Sequence, residues 1–256
     1  MKNIKPLILV VNDDGIDSMG IRTLIDSMKE VGDVYVVAPD SNRSGASHAI
    51  TLDKEIYIKK IDKKINEFSC SGTPVDCVKM AINKILPRLP DLCVSGVNHG
   101  ANHSINILYS GTAHAAIEGT IKGVPSIAFS HVSYDKSLNM NDFKQFIIKI
   151  SLHVLKAKLP LGVTLNINFP DLPFRQIKGV RICNQGDGHW VEDYKLKKKN
   201  NLVAYYWITG HFEDKIHQKK SDLWAAQNGY ISIVPIGLDY TDSGSISLFK
   251  FLEDDF

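Results

Sequence analysis

Two adjacent carboxylates, Asp13 and Asp14, stand in the run Leu7-Ile8-Leu9-Val10-Val11-Asn12-Asp13-Asp14-Gly15. Like charges side by side raise each other's pKa, and a divalent cation between them removes that penalty. Hard cations such as Mg²⁺ accept oxygen ligands of this kind. The same letters also suit a plain solvated turn, because Asn, Asp and Gly are turn formers. Position adds weight to the metal reading. Leu7 to Val11 is a short continuous apolar run, as expected of a strand buried on both faces of a parallel sheet. The acids then stand at that strand's carboxyl end, the edge where open α/β sheets bind ligands.

Three more clusters follow strand ends or open helices. Pro39-Asp40-Ser41-Asn42-Arg43-Ser44-Gly45-Ala46-Ser47-His48 offers hydroxyls, an arginine and a histidine within ten residues. Gly96-Val97-Asn98-His99-Gly100-Ala101-Asn102-His103 combines glycines that let backbone approach a ligand with amide oxygens that can coordinate a hard cation. Tyr109-Ser110-Gly111-Thr112-Ala113-His114 opens a helix of small residues. Its free N–H groups and dipole would face an anion, with the Ser110 and Thr112 hydroxyls as extra donors. An ordinary Ser/Asn/Gly loop, a glycine-rich turn and a simple N-cap account for each cluster taken singly. His114, inside the helix, reads as packed. At one sheet edge the four clusters compose a hard-metal site beside an anion cradle, the pair that metal-assisted phosphate-ester hydrolysis needs.

The elements that must position these residues alternate. A helix is expected over Met19 to Val31 and a second buried strand over Val34 to Ala38. Ile50 to Cys70 reads as a hairpin or strand excursion around Asp62-Lys63-Lys64. Pro74 suits the first turn of a helix running to about Leu86. Strands at Leu92 to Ser95, Ser126 to Phe129 and Thr164 to Phe169 alternate with helices at Gly111 to Lys122 and Phe143 to Leu155. Such βα units imply an α/β fold with a parallel sheet and helices on both faces. Past Pro170 the character shifts to short strands at Val180 to Cys183, Val203 to Trp207 and Tyr230 to Val234, with one helix near Ser221 to Gln227. Trp190, Trp207 and Trp224 all lie in this β-rich part, as subunit contacts or as core.

The 256 residues can bury a full core, and 44% hydrophobic with 23% charged residues is ordinary for a soluble protein. A net charge of +2 gives no global case for nucleic-acid or membrane binding. The basic run Lys195-Leu196-Lys197-Lys198-Lys199 reads as a solvated loop or hairpin tip. No leader-like segment or transmembrane-length stretch is visible. Cys70, Cys77, Cys93 and Cys183 lack metal spacing and read as reduced, buried thiols of a cytoplasmic protein.

Here the motifs become specific. Val11-Asn12-Asp13-Asp14-Gly15-Ile16, Val37-Ala38-Pro39-Asp40, Arg43-Ser44-Gly45-Ala46-Ser47-His48 and Gly72-Thr73-Pro74-Val75-Asp76-Cys77-Val78 occur in that order. Val94-Ser95-Gly96-Val97-Asn98-His99-Gly100-Ala101-Asn102 and Tyr109-Ser110-Gly111-Thr112 complete the series. The set resembles the SurE family of stationary-phase survival proteins, metal-dependent 5′(3′)-nucleoside monophosphate phosphatases, densely over residues 7 to 130. The resemblance implies a Rossmann-like three-layer α/β/α core over about 1–172 and a β-rich C-terminal oligomerisation arm over about 173–256 in a single SurE-like domain. It implies one divalent cation per subunit, Mg²⁺ or Mn²⁺, held by Asp13, Asp14, the Ser44 hydroxyl and the Asn98 amide. Ser110, Gly111 and Thr112, with Arg43 and Asn102, would line the phosphate side. Asp13, Asp14, Asn98, Ser110 and Thr112 are thereby the expected catalytic set. Nucleoside monophosphates are the implied substrates of a cytoplasmic homodimer or homotetramer, with no stable nucleic-acid complex and no membrane partner. The chain departs from the pattern at Ser104 and Asn106, where the family usually has glycine and aspartate; if that aspartate tunes a water or a loop, rate or metal preference would differ.

Three rivals remain. The crevice could hold nucleotide or phosphate without catalysis, in a binding or assembly protein. An Asp at the first strand's end could form an aspartyl-phosphate, though phosphatases of that kind place their two acids two residues apart. A dinucleotide-dependent oxidoreductase fits poorly, because Asp-Asp-Gly replaces the expected G-x-G-x-x-G turn.

Overall fold

The computed structural model describes residues 5–62, 66–135, 138–200, 202–214 and 218–253. The chain opens with β1 (Leu7–Val11), α1 (Met19–Met28) and β2 (Asp33–Pro39), then the antiparallel pair β3 (Ile58–Asp62) and β4 (Asn66–Cys70). Next come α2 (Pro74–Met80), β5 (Leu92–His99), α3 (Gly111–Ile121), β6 (Ser126–His131), α4 (Lys144–Ala157) and β7 (Val163–Phe169). The C-terminal part holds β8 (Val180–Ile182), a long hairpin of β9 (Gly188–Lys199) and β10 (Ala204–Asp214), α5 (Asp222–Gln227) and β11 (Ile231–Gly237). Nine strands form one sheet in the order β3-β4-β2-β1-β5-β6-β7-β11-β8, and the β9–β10 hairpin stands apart as its own two-stranded sheet. From β4 to β7 every neighbouring pair runs parallel.

Alternation along β1 shows why three layers form. Ile8 and Val10 pack with Ile21, Leu24 and Ile147 of α1 and α4. Leu9 and Val11 pack on the other face with Cys77, Val78 and Ala115 of α2 and α3. Burying each such aliphatic side chain contributes about 1.5–3 kcal/mol, so a strand apolar at every position is stable only between two helical layers. Parallel strands also bring their carboxyl ends to one edge, so the loops after β1, β2 and β5 meet there.

Several expectations need revision. The helix begun at Pro74 ends as an α-helix at Met80 and continues as a wider π turn over Ala81–Ile85. The strand at Leu92 runs on to His99 through an irregular register between Ser95 and Asn98, so Asn98 lies within the strand. The Lys195–Lys199 run belongs to β9, at its end beside the hairpin turn, and is exposed. β8 and β11 complete the main sheet, and only the β9–β10 hairpin projects as an arm. The hairpin tip expected at Lys63 and Lys64 lies outside the described residues. All four cysteines are buried and unpaired, as the sequence suggested. Trp207 is 64% exposed and is no core residue of the subunit.

Candidate metal and phosphate site

Asp13 is the fixed point. The Thr112 N–H donates to its Oδ2 at 3.0 Å and the Thr112 hydroxyl donates to its Oδ1. This grip depends on Gly111. A Cβ at that position would stand 2.9 Å from Asp13 Cβ and 3.1 Å from Pro74 Cγ, so only glycine lets α3 approach so closely. Asp14 lies beside β5, where the His99 N–H donates to its Oδ2 at 3.4 Å and His99 Nδ1 stands 3.7 Å away. Asn98 is thus one residue from a contact with Asp14. It is nearly buried, and its Nδ2 donates to the Gly100 carbonyl at 2.8 Å, which orients the amide. From the other side, the Arg43 N–H donates to the Asp13 carbonyl at 2.7 Å, placing Ser44 one residue from the acids. Ser44 itself is exposed, its N–H held by Asn42 Oδ1 at 2.7 Å.

On the phosphate side, Ser110 caps α3. Its Oγ accepts the Ala113 N–H at 2.9 Å and keeps its own proton to donate elsewhere. The Thr112 hydroxyl proton is spent on Asp13. The Arg43 guanidinium is occupied by the Ser71 carbonyl at 2.9 Å and by Asp40 at 3.4 Å. Asn102 is buried, donating its side-chain amide to Ser130 Oγ and its N–H to Asn168 Oδ1, each at 2.8 Å.

A cavity of about 390 Å³ opens beside the acids, lined among others by Asp14, Gly15, Asp17, Asp40, Ser41 and His99. A larger depression of about 770 Å³, around Pro90, Asp91, Gly123 and Leu159, includes none of these residues. Of the candidate metal and phosphate residues only Asp14 lines the smaller cavity, which adjoins the acidic side of the site. The sequence places His99 within the Gly96–His103 cluster without giving it a role, and only the fold sets it against Asp14.

The donor set fits a hard cation. Among the described residues no three His, Cys, Asp or Glu side chains cluster as a metal site. The candidates here are two carboxylates, a hydroxyl and an amide, oxygen donors throughout. Burial first, and then the charge of Asp14, push the Asp13 carboxyl up to about 6 against the pull of the Thr112 hydrogen bonds. A buried carboxylate with a second one beside it favours a cation in the same space.

Fold and site together define a class: a three-layer α/β protein with an acidic, oxygen-lined centre facing a helix amino terminus at the carboxyl edge of its sheet. The survival protein SurE family profile matches residues 8–192, and the chain belongs to this family. It is 50% identical over 244 residues to the 5′-nucleotidase SurE of Flavobacterium johnsoniae, covering 94% of both chains. The 5′-nucleotidase SurE of Flavobacterium psychrophilum is 51% identical over 240 residues, 93% of both. The crystal structure of the SurE protein from Aquifex aeolicus superposes with a TM-score of 0.85 at 37% identity, covering 97% of this chain and all of that one.

Proposed function

We propose that this chain is a divalent-metal-dependent phosphohydrolase that releases phosphate from nucleoside 5′-monophosphates, and from 3′-monophosphates at the same centre. Its relatives named 5′-nucleotidase support the first part over nearly the full chain. The observation that carries the mechanism is the convergence of Asp13, Asp14, Asn98 and the amino end of α3. Asp13, Asp14, the Ser44 hydroxyl and the Asn98 amide would hold one Mg²⁺ or Mn²⁺ ion. When bound, that ion supplies positive charge opposite the phosphoryl group and lowers the pKa of water.

The chain's own residues divide the remaining work. Thr112 spends both donors on Asp13 and positions it. Ser110, with its hydroxyl proton uncommitted, donates to a non-bridging phosphate oxygen at the α3 amino terminus. Asp14, less encumbered than Asp13, orients the attacking water and takes its proton. Arg43 contributes its charge from beside Asp40, and Asn102 holds the loop after β5 by bonds into the sheet. Adjacent acids suit shared metal binding better than an aspartyl-phosphate, and trapping a phosphoenzyme would reverse that preference.

We further propose one SurE-like domain, with a core over about 1–172 and the remainder carrying the arm, acting in the cytoplasm as a homodimer or homotetramer. No helix among the described residues is long and apolar enough to cross a membrane. The test is release of inorganic phosphate from a panel of 5′- and 3′-monophosphates with Mg²⁺, with Mn²⁺ and with a chelator. Turnover that needs the metal supports the reading. No turnover of any monophosphate, or full turnover in chelator, contradicts it.

A further inference from the structure

The loop bearing Ser44 turns through two left-handed backbone positions, Gly45 (φ +76°) and Ser47 (φ +53°), and folds back over the start of α3. The Ser47 N–H donates to the Tyr109 carbonyl at 3.2 Å and its hydroxyl to the Leu108 carbonyl at 2.5 Å. The next residue reaches further. His48 Nε2 donates to Glu118 Oε2 at 3.1 Å, and its ring meets that of His114 edge to face with centroids 5.0 Å apart.

Glu118 is an unusual anchor. It sits two turns into α3 with its side chain only 2% exposed. Lys79 Nζ on α2 approaches it to 2.8 Å and Lys122 Nζ, at the C-cap of α3, to 3.7 Å. A carboxylate this buried persists only with charged or hydrogen-bonding partners, and removing them leaves an uncompensated charge. Catalysis as proposed uses neither Glu118 nor His48.

α3 therefore references two parts of the site at once. Its amino terminus grips Asp13 through Thr112, and its middle grips the Ser44 loop through His48. Ser44 is exposed and neutral, so it adds to cation affinity only if its loop is already in place. Ordering a free loop on binding costs backbone conformational entropy at every residue fixed. We propose that the His48–Glu118 pair, added to the backbone bond of Arg43 and the two bonds of Ser47, is the side-chain tether that holds Ser44 at the cation position, which makes His48 a positioning residue for the metal site. This rests on the reading of Ser44 as a metal ligand.

The test is Mn²⁺ affinity of the metal-free protein, read by the electron paramagnetic resonance of unbound Mn²⁺, with a melting temperature for every variant. His48→Ala is expected to weaken Mn²⁺ binding by about tenfold while remaining folded. His48→Gln, whose amide N–H can still reach Glu118, restores affinity toward the wild type. Lys79→Met removes the partner of Glu118 Oε1 and leaves the His48 contact on Oε2, so it lowers the melting temperature and leaves Mn²⁺ affinity in place. Wild-type affinity in His48→Ala, or equal weakening in Lys79→Met, overturns the tether. A wild-type protein that binds no Mn²⁺ overturns the metal reading itself, and the tether with it.

Discussion

At the scale of single residues, Thr112 and Ser104 show how much rests on one hydroxyl. Thr112→Val keeps the shape of the side chain and deletes its bond to Asp13, leaving the N–H contact alone. Mn²⁺ affinity is expected to fall about tenfold or more, as for other outer-sphere partners of metal ligands, and a metal titration reads it. Ser104 sits at φ +52°, a left-handed backbone that favours glycine. In return its Oγ donates to the Gly186 carbonyl at 2.7 Å and accepts the Gly188 N–H at 2.9 Å, while Asn106 Oδ1 accepts the Trp190 indole N–H at 2.7 Å. Ser104→Gly relieves about 1 kcal/mol of strain but strands two buried backbone groups worth about 1 kcal/mol or more each. A net loss near 1 kcal/mol is expected in chemical denaturation, and a gain would mean that strain dominates. Asp13, Asp14 and Asn98 were legible in the sequence as candidates because each lies near or just past the end of an apolar strand. The roles of Ser104 and Asn106 were not, because their partners lie more than 80 residues away in sequence and only folding joins them.

Elements were legible where one face or both are apolar. β1 reads as a buried strand because each of its five residues is buried, and α1 because its apolar residues keep helical spacing. β9 gave no such signal: from Glu192 to Lys199 every residue is exposed, so no packing face disciplines its pattern. The π turn after α2 was equally invisible, since Ala81, Ile82 and Ile85 fit an α-helix as well. α3 carries the next prediction. Burial raises the pKa of Glu118, but His48, Lys79 and Lys122 together outweigh it and hold the carboxyl below its usual 4.5. A carboxylate depressed in the folded state stabilises the fold above that ordinary value and loses its contribution as pH falls through the lower one. The melting temperature should therefore drop as acid neutralises Glu118, and Glu118→Gln should flatten the drop. Parallel pH profiles for the two proteins would remove Glu118 from the account of acid sensitivity.

At the scale of the molecule, the β9–β10 hairpin is out of balance with a lone subunit. Leu196, Leu202, Tyr205, Tyr206, Trp207 and Ile208 are all exposed on it, Leu202 by 95%. A two-stranded ribbon is marginal by itself, and these exposed side chains are the surface on which the proposed assembly would act. Trp207→Ser combined with Ile208→Ser should shift the mass seen by light scattering toward the monomer. An unchanged mass would contradict a role for this hairpin in the proposed assembly. The sheet brings the loops after β1, β2 and β5 to one edge, where Asp13 and Asp14 are proposed to form half of a cation site that drives phosphate release. Asp14→Asn tests this proposal most directly, because the substitution keeps the shape and deletes one charge. Assayed for phosphate release from AMP across a Mn²⁺ titration, Asp14→Asn is expected to lose at least about 100-fold in turnover at every metal concentration. Turnover equal to the wild type, with the same dependence on Mn²⁺, would remove Asp14 from the cation site and from catalysis.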